Sequence, residues 1–113
     1  MENIQHWANE FPSAVTIANM QGVIVYMNEK ASATFEKYGG KSLIGKSLYD
    51  CHSESSREKL KLLINKQASN TYTIEKNGIK KLIHQSPWYQ NGKCAGIVEL
   101  SIVLPPDMPH FIR

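Results

Sequence analysis

At 113 residues the chain has the length of one domain, and we expect no second domain. The formal net charge of +3 is small and its 13 Lys and Arg residues are scattered, which argues against a partner that is nucleic acid or a membrane surface. Because no apolar run could span a bilayer, the N-terminus shows no signal-peptide pattern and the two cysteines are too few for a disulfide framework, we expect a cytoplasmic protein.

The first segment, residues 1–12, is predicted to contain a short amphipathic helix. Ile4, Trp7 and Phe11 recur with helical spacing and would form one apolar stripe. A helix of this length is marginal by itself. We therefore expect it to dock on a sheet surface of its own subunit or of a partner.

A β-hairpin and a helix are predicted next. The runs Ala14–Ala18 and Val23–Met27 are rich in strand-forming residues, and Gly22 can supply the positive φ of the turn between them. Asn28 stands where the N-cap of the following helix belongs, and Gly39–Gly40 should end that helix.

A longer helix is predicted from Ser56 to about Ala68, after a loop with one helical turn around Ser47 to Asp50. Ser55 and Glu58 fit a capping box at its start. Its apolar face consists of Leu60, Leu63 and Ile64.

The stretch 70–104 is predicted to form a three-stranded antiparallel meander, because the Asn-Gly steps at 77–78 and 91–92 favour tight hairpin turns. If each turn has two residues, Gln85 lies opposite Val98 and His84 lies opposite Glu99. This register predicts a largely apolar inner face that carries Tyr72, Ile83, Gln85, Val98 and Leu100. It predicts an outer face that mixes charges with Leu82, Trp88 and Ile97.

The order of elements predicts an α+β fold: a five-stranded antiparallel sheet with helices over one face and an N-terminal helix. The domain spans 13–104, and the Pro-rich tail 105–113 cannot continue the strand ladder. The outer face is more apolar than a sheet surface left to water, so we expect part of it to be covered.

Three motifs in this order resemble a PAS domain over residues 13–104. Asn19-x-x-Gly22 followed by Asn28 resembles the first PAS hairpin and the residue that opens its first core helix. The run Leu43–Leu48 is similar to the family's central Leu-x-Gly-x-x-Leu. The closing three-stranded meander resembles the one that ends a PAS domain. The stretch Gly45–His52 is similar to the bacterial sensory PAS type found beside hemerythrin-like domains and as small free-standing proteins.

The resemblance implies a PAS-like sensor that holds a small molecule or cofactor between the sheet and the helices. It also implies a homodimer, because PAS domains pair through an N-terminal helix and the outer sheet face. PAS domains normally signal to an attached output domain, and none follows in this sequence. We therefore expect either signalling to a partner protein in trans or an excised piece of a longer chain.

The resemblance also bears on cofactors. Flavin-adduct PAS domains place a reactive Cys three residues after the central Gly, and this chain has Leu48 there, which argues against a covalent flavin. Haem-binding members take an axial His from the long helix, which has none here. His52 could still ligate haem or a metal, with Cys51 as a second candidate; the alternative is a helix-entry His bonded to backbone or water. A zinc site that adds Cys94 matches no standard spacing.

The candidate ligand pocket is drawn from the predicted inner face and its surroundings. Its members are Gln85, Tyr72, Ile83, Val98, Leu100, Tyr26 and Leu48. Gln85 is the most informative, because a buried amide needs a partner, either in the helical middle or on a ligand. The dimer-interface candidates are large apolar residues of the N-terminal helix and outer face: Ile4, Trp7, Phe11, Leu82, Trp88 and Ile97.

Three functions are compatible with the sequence: a small-molecule PAS sensor, a ligand-free interaction module and a small enzyme. We rank the enzyme last, because His84 opposite Glu99 favours a cross-strand polar pair and no nucleophile is in reach. Replacing Trp7 or Trp88 by Glu should weaken self-association and leave the fold largely intact.

Overall fold

The computed structural model describes residues 6–51 and 54–113, and of Cys51 only the backbone. The helices are α1 (His6–Asn9), α2 (Glu29–Thr34) and α3 (Glu54–Lys66), with short 3₁₀ helices at Glu36–Tyr38, Gly40–Leu43 and Leu48–Cys51. The strands are β1 (Ala14–Asn19), β2 (Ile24–Met27), β3 (Asn70–Lys76), β4 (Ile79–Gln90) and β5 (Lys93–Val103). No helix in these ranges is long and apolar enough to cross a membrane.

The strands form one five-stranded antiparallel sheet in the order β2-β1-β5-β4-β3. Each end of the sheet is a hairpin, and β1 pairs with β5 in the middle. Helices α2 and α3 pack on one side, here called the inner face, where Ala18 and Ile97 join a buried cluster with Leu60, Leu63 and Ile64. The predicted α+β fold, a five-stranded antiparallel sheet with helices, is therefore confirmed.

The first hairpin and the N-cap of the following helix form as predicted, but α2 ends at Thr34 and not at Gly39–Gly40, because a 3₁₀ helix replaces its last turn. Asn19 holds the turn with its side-chain oxygen, which accepts the backbone N–H groups of Gln21 and Val23, each at 3.0 Å. Asn28 is the N-cap of α2, and its Oδ1 accepts the Ala31 N–H at 2.9 Å. Gly39 adopts a left-handed φ of 117° and separates the first two 3₁₀ helices.

The segment 29–66, here called the helical middle, is hydrogen-bonded through its backbone to the free edge of β2 and to the turn before it. Ile24 donates its N–H to the Lys46 carbonyl at 2.9 Å and accepts the Gly45 N–H at 2.7 Å. Leu48 donates to the Gly22 carbonyl at 2.8 Å. These backbone bonds fix the loop that carries the central Leu-x-Gly-x-x-Leu motif against the hairpin.

Helix α3 begins earlier than predicted. Ser55 lies inside the helix that starts at Glu54, so the predicted capping box is wrong. The predicted apolar face is confirmed, since Leu60, Leu63 and Ile64 are all buried. The helix ends where Gln67 adopts a φ of 53° and the Ala68 N–H reaches back to the Leu63 carbonyl, a Schellman-type ending.

The meander confirms the first predicted register and overturns the second. Across the first turn Tyr72 pairs with Ile83, as predicted. Across the second turn Tyr89 pairs with Cys94, but Ala95 is an extra residue, so Trp88 pairs with Gly96. From there onward the pairing shifts by one residue, which moves the predicted faces of β5 to opposite sides of the sheet.

The bulge lies beside a close contact between β1 and β5. A Cβ atom at position 96 would lie 1.9 Å from the Ala18 carbonyl oxygen, so only Gly allows this approach. The same oxygen accepts the indole N–H of Trp88 at 3.1 Å. Gln85 consequently lies opposite Glu99 and His84 opposite Leu100, and the predicted His84–Glu99 pair is wrong.

Candidate functional site

A cavity of about 640 Å³ lies between the inner face and the helical middle. Its apolar walls come from both layers: Ala18, Ile24, Met27, Phe35, Leu43, Leu48, Leu60 and Ile97. Leu48 packs against both buried clusters, one around Met27 and Leu43 and one around Leu60 and Ile97. The cavity therefore opens at the junction of the two halves of the core.

A row of polar side chains crosses the floor of the cavity. Gln85 is only 6% exposed, and its Nε2 donates to Oε2 of Glu99 at 2.8 Å. Its Oε1 accepts from Nδ2 of Asn70 at 3.1 Å. Thr16 lies beyond Glu99 on β1 and completes the row over four adjacent strands. Gln85 was expected to bond to the helical middle or a ligand; its partners are neighbours on the sheet.

Charged and aromatic groups stand around this floor. Lys46 and Asp50 also line the cavity, but both are exposed to solvent. Tyr72 lies on the inner face nearby, and burial raises the pKa of its hydroxyl, with the negative charge of Glu99 as the second cause. Glu99 is thus the one half-buried charge on the sheet side of the cavity, within the described residues.

The predicted pocket residues divide into three groups. Gln85 and Leu48 line the cavity. Ile83 and Tyr72 lie on the inner face but outside the lining, and Tyr72 is 42% exposed. The remaining three, Val98, Leu100 and Tyr26, lie on the outer face, because Ile97, Glu99 and Met27 point inward beside them and side chains alternate along a strand.

The predicted interface residues are also divided. Ile97 is buried in the core against α3, so its outer-face assignment is wrong and follows from the register error. Leu82 and Trp88 lie on the outer face as predicted. Trp7 and Phe11 are 67% and 42% exposed and stack edge-to-face with ring centroids 5.5 Å apart. Ile4 lies outside the described residues.

The metal candidates receive no support from the described part of the chain. His52 and the side chain of Cys51 lie outside the described residues. Cys94 is a free, half-buried thiol whose Sγ lies 3.6 Å from the Gly96 carbonyl oxygen. Among residues 6–50 and 54–113 no group of three His, Cys, Asp or Glu side chains could hold a metal ion. His84 instead shares a 2.7 Å hydrogen bond with the Thr71 hydroxyl on the outer face.

Sequence reasoning missed Glu99, the polar residue that most distinguishes this site. The missed signal was Gly96, since a Gly inside a strand pattern often marks a bulge or a close backbone approach. Thr16 was missed because a short alternation of Ala, Val and Thr carries no sign of which face meets a cavity.

Comparison with known proteins identifies the family. A family model described as the PAS fold matches residues 8–104, which is most of the chain. The chain therefore belongs to the PAS family. Among curated proteins, no sequence matches it.

Several solved structures share this architecture. A C-terminal domain from Streptococcus mutans superposes with a TM-score of 0.69 at 20% identity, over 88% of this chain and 81% of that one. The Vibrio cholerae Aer2 receptor, described as a dual PAS-heme oxygen sensor, has a TM-score of 0.62 at 13% identity, over 82% and 95%. VqmA bound to DPO has a TM-score of 0.64 at 17% identity; the match covers 87% of this chain and only 55% of VqmA. At these identities the likeness shows the fold alone.

Proposed function

We propose that this chain is a PAS sensory module that binds a small molecule non-covalently between its sheet and its helical middle. The observation that carries the proposal is the cavity of about 640 Å³ with apolar walls and a short polar floor. Small-molecule sites are typically clefts of roughly 300–1,000 Å³ with apolar linings and a few placed polar groups. The lining combines residues of the sheet with residues of the helical middle. A bound ligand would therefore contact both layers and could change how they pack.

The solved relatives support this use of the fold. The Aer2 receptor is a heme oxygen sensor, and VqmA was solved with DPO bound. For this chain we favour an organic ligand over haem, because α3 contains no His that could serve as an axial ligand. We further propose that the protein is cytoplasmic and that its role is sensory and not catalytic. Within the family, we propose that it is of the bacterial type found beside hemerythrin-like domains and as small free-standing proteins.

The mechanism would be a population shift between two packings of the helical middle against the sheet. Ala18 offers a direct connection from the cavity to the outer face. Its side chain lines the cavity, and its carbonyl oxygen accepts the indole N–H of Trp88 on the opposite side of the sheet. A ligand that displaces β1 at Ala18 would therefore move an outer-face aromatic, and a homodimer or a partner protein would read that change.

The second candidate function is a ligand-free dimerisation module. The exposed edge-to-face pair of Trp7 and Phe11 favours it, since exposed aromatic clusters are common at interfaces. In this alternative the helical middle would only support the sheet. The two functions differ in whether the cavity is occupied.

Native mass spectrometry of the protein purified from its own cells, with an absorption spectrum of the same sample, tests the proposal. We expect bound mass on the wild type and its loss in Leu48→Trp, which places a bulky ring in the cavity between its two apolar clusters. Leu62→Trp, a matched change at an exposed position of α3, should keep the bound mass. A Soret band would identify the mass as haem and redirect attention to His52. An apo wild type whose spectra do not respond to any added small molecule would favour the dimerisation module.

A further inference from the structure

Glu99 is the charged group among the polar side chains on the floor of the cavity, and its neighbours in the row, Thr16 and Gln85, are neutral. The Gln85 amide bonds on both sides, since its Oε1 accepts from Asn70 and its Nε2 donates to Glu99. The Glu99 bond to Gln85 involves one carboxylate oxygen, Oε2, and an ionised carboxylate has about four lone-pair sites for hydrogen bonds. Glu99 is therefore held in position and retains capacity to accept further hydrogen bonds.

The charge inside the cavity is negative. Lys46 and Asp50 have opposite signs and are exposed, so solvent screens both. Glu99 is half-buried among apolar walls, where a charge is screened less. Tyr72 lies close to this charge, and its pKa is raised first by burial and second by the negative charge of Glu99. A ligand that brings a carboxylate or phosphate to the floor would meet like charge in an apolar setting, which is unfavourable.

We propose that the ligand is a mostly apolar small molecule that carries a protonated amine, and that Glu99 accepts the hydrogen bonds of that amine. The inference rests on the proposed function, because it requires an occupied cavity. A charge-assisted pair between ammonium and carboxylate is roughly twice as strong as a neutral hydrogen bond. The apolar walls would take the body of the ligand, and Glu99 would set its orientation and its charge class.

Three probes with one shared body separate the charge classes. Tryptamine, tryptophol and indolepropionate present an ammonium, a hydroxyl and a carboxylate on the same indole ring and linker. Each is titrated into the full chain and followed by amide NMR. We expect tryptamine to bind about tenfold tighter than tryptophol, and indolepropionate to bind most weakly.

Glu99→Gln should abolish the preference for tryptamine, since it keeps the shape of the side chain and removes its charge. Glu58→Gln, a matched change on the exposed surface of α3, should leave the preference unchanged. Tryptophol or indolepropionate binding as tightly as tryptamine would overturn the inference and leave the proposed function standing. A preference for tryptamine that survives in Glu99→Gln would also overturn it. Failure of all three probes to bind the wild type would count against both.

Discussion

The side chain of Asn28 joins three elements of the fold. It is fully buried, with 0% exposure, and its Oδ1 accepts N–H groups from Val15 and Ala31 at 3.0 and 2.9 Å. Its Nδ2 donates to the carbonyls of Ala8 and Ser13 at 2.9 and 2.8 Å. One amide thus connects α1, the start of β1 and the N-terminus of α2.

Replacing Asn28 by Ala should destabilise the protein by roughly 3 kcal/mol, because the helix loses its N-cap and buried backbone groups lose their partners. Chemical denaturation measures the change in free energy of unfolding. Asn65→Ala, at an exposed position of α3, is the control and should change stability by less than about 0.5 kcal/mol. Equal stabilities of the two variants would show that the network around Asn28 is dispensable.

The acid–base behaviour of Tyr72 reports on the charge in the cavity. Burial is the larger cause of its raised pKa and Glu99 the smaller. In Glu99→Gln we therefore expect the pKa of Tyr72 to fall but to stay above its ordinary value of 10.0. NMR of the tyrosine ring carbons measures this directly. An unchanged pKa would mean that the charge of Glu99 does not reach the Tyr72 hydroxyl.

The same shift sets a direction for stability at high pH. Because the folded-state pKa of Tyr72 lies above the unfolded value, the unfolded state releases its proton first as the pH rises. The contribution of Tyr72 to stability is therefore complete below about pH 10 and is lost as the pH rises through the folded-state pKa. The loss should be smaller in Glu99→Gln than in the wild type.

At the scale of elements, the bulge in β5 decides which side chains reach the cavity. Gly96→Ala should destabilise the sheet by roughly 3 kcal/mol or more, because the added methyl group collides with the Ala18 carbonyl. Gly78→Ala is a matched control: its φ of +78° is strained for Ala, but its Cβ would meet nothing within 4 Å. The control should lose only about 1 kcal/mol. Comparable losses in thermal unfolding would show that backbone strain, not the contact with β1, limits position 96.

The two Asn-Gly hairpins show where prediction from the sequence succeeds and where it fails. Both turns form with positive φ at Asn and Gly, and the first register follows from its turn alone. The second register also begins correctly, with Tyr89 opposite Cys94. It fails one residue later, where the bulge at Ala95 lies beside the approach of β1 at Gly96, and β1 lies near the other end of the chain. Turn chemistry is local and was predictable, whereas the bulge lies at a tertiary contact.

For the helices, too, the features set by nearby residues were predictable and the others were not. The N-cap role of Asn28 and the buried face of α3 were predictable, because both depend on spacing within a few residues. The start of α3 was placed too late, since several Ser and Glu residues in 53–58 can serve as caps and the sequence does not rank them. The helical turn predicted around Ser47 to Asp50 forms as the 3₁₀ helix Leu48–Cys51, and the loop before it is held by backbone bonds to Ile24.

For the molecule as a whole, the structure reduces the set of residues that could form the predicted interface. Ile97 is buried in the core, whereas Trp7 and Phe11 remain exposed. Trp7→Glu should weaken self-association by about tenfold or more and leave the fold intact, because its side chain is 67% exposed. Analytical ultracentrifugation measures the dissociation constant. Tyr89→Glu, at a similarly exposed aromatic in the β4–β5 hairpin, is the control. If both variants associate as the wild type does, the Trp7 surface is not the interface.

Trp88 now requires a different expectation from Trp7. Its indole donates to the Ala18 carbonyl and the side chain is half-buried, so Trp88→Glu should also reduce stability, by at least about 1 kcal/mol.

The candidate site was predictable from the sequence only in part. Gln85 was found because a polar residue in an apolar run stands out, while Glu99 was assigned to the opposite face by the register error.

A nuclear Overhauser spectrum of the wild-type chain loaded with tryptamine is the sharpest test of a ligand cavity between the sheet and the helical middle. Ile97 and Val98 are neighbours on β5 whose side chains lie on opposite faces of the sheet. We predict contacts from the indole protons of the probe to the methyl groups of Ile97, Leu48 and Leu60, which line the cavity. Contacts to Val98 and Leu100 on the outer face, with none to Ile97, would contradict binding at this cavity.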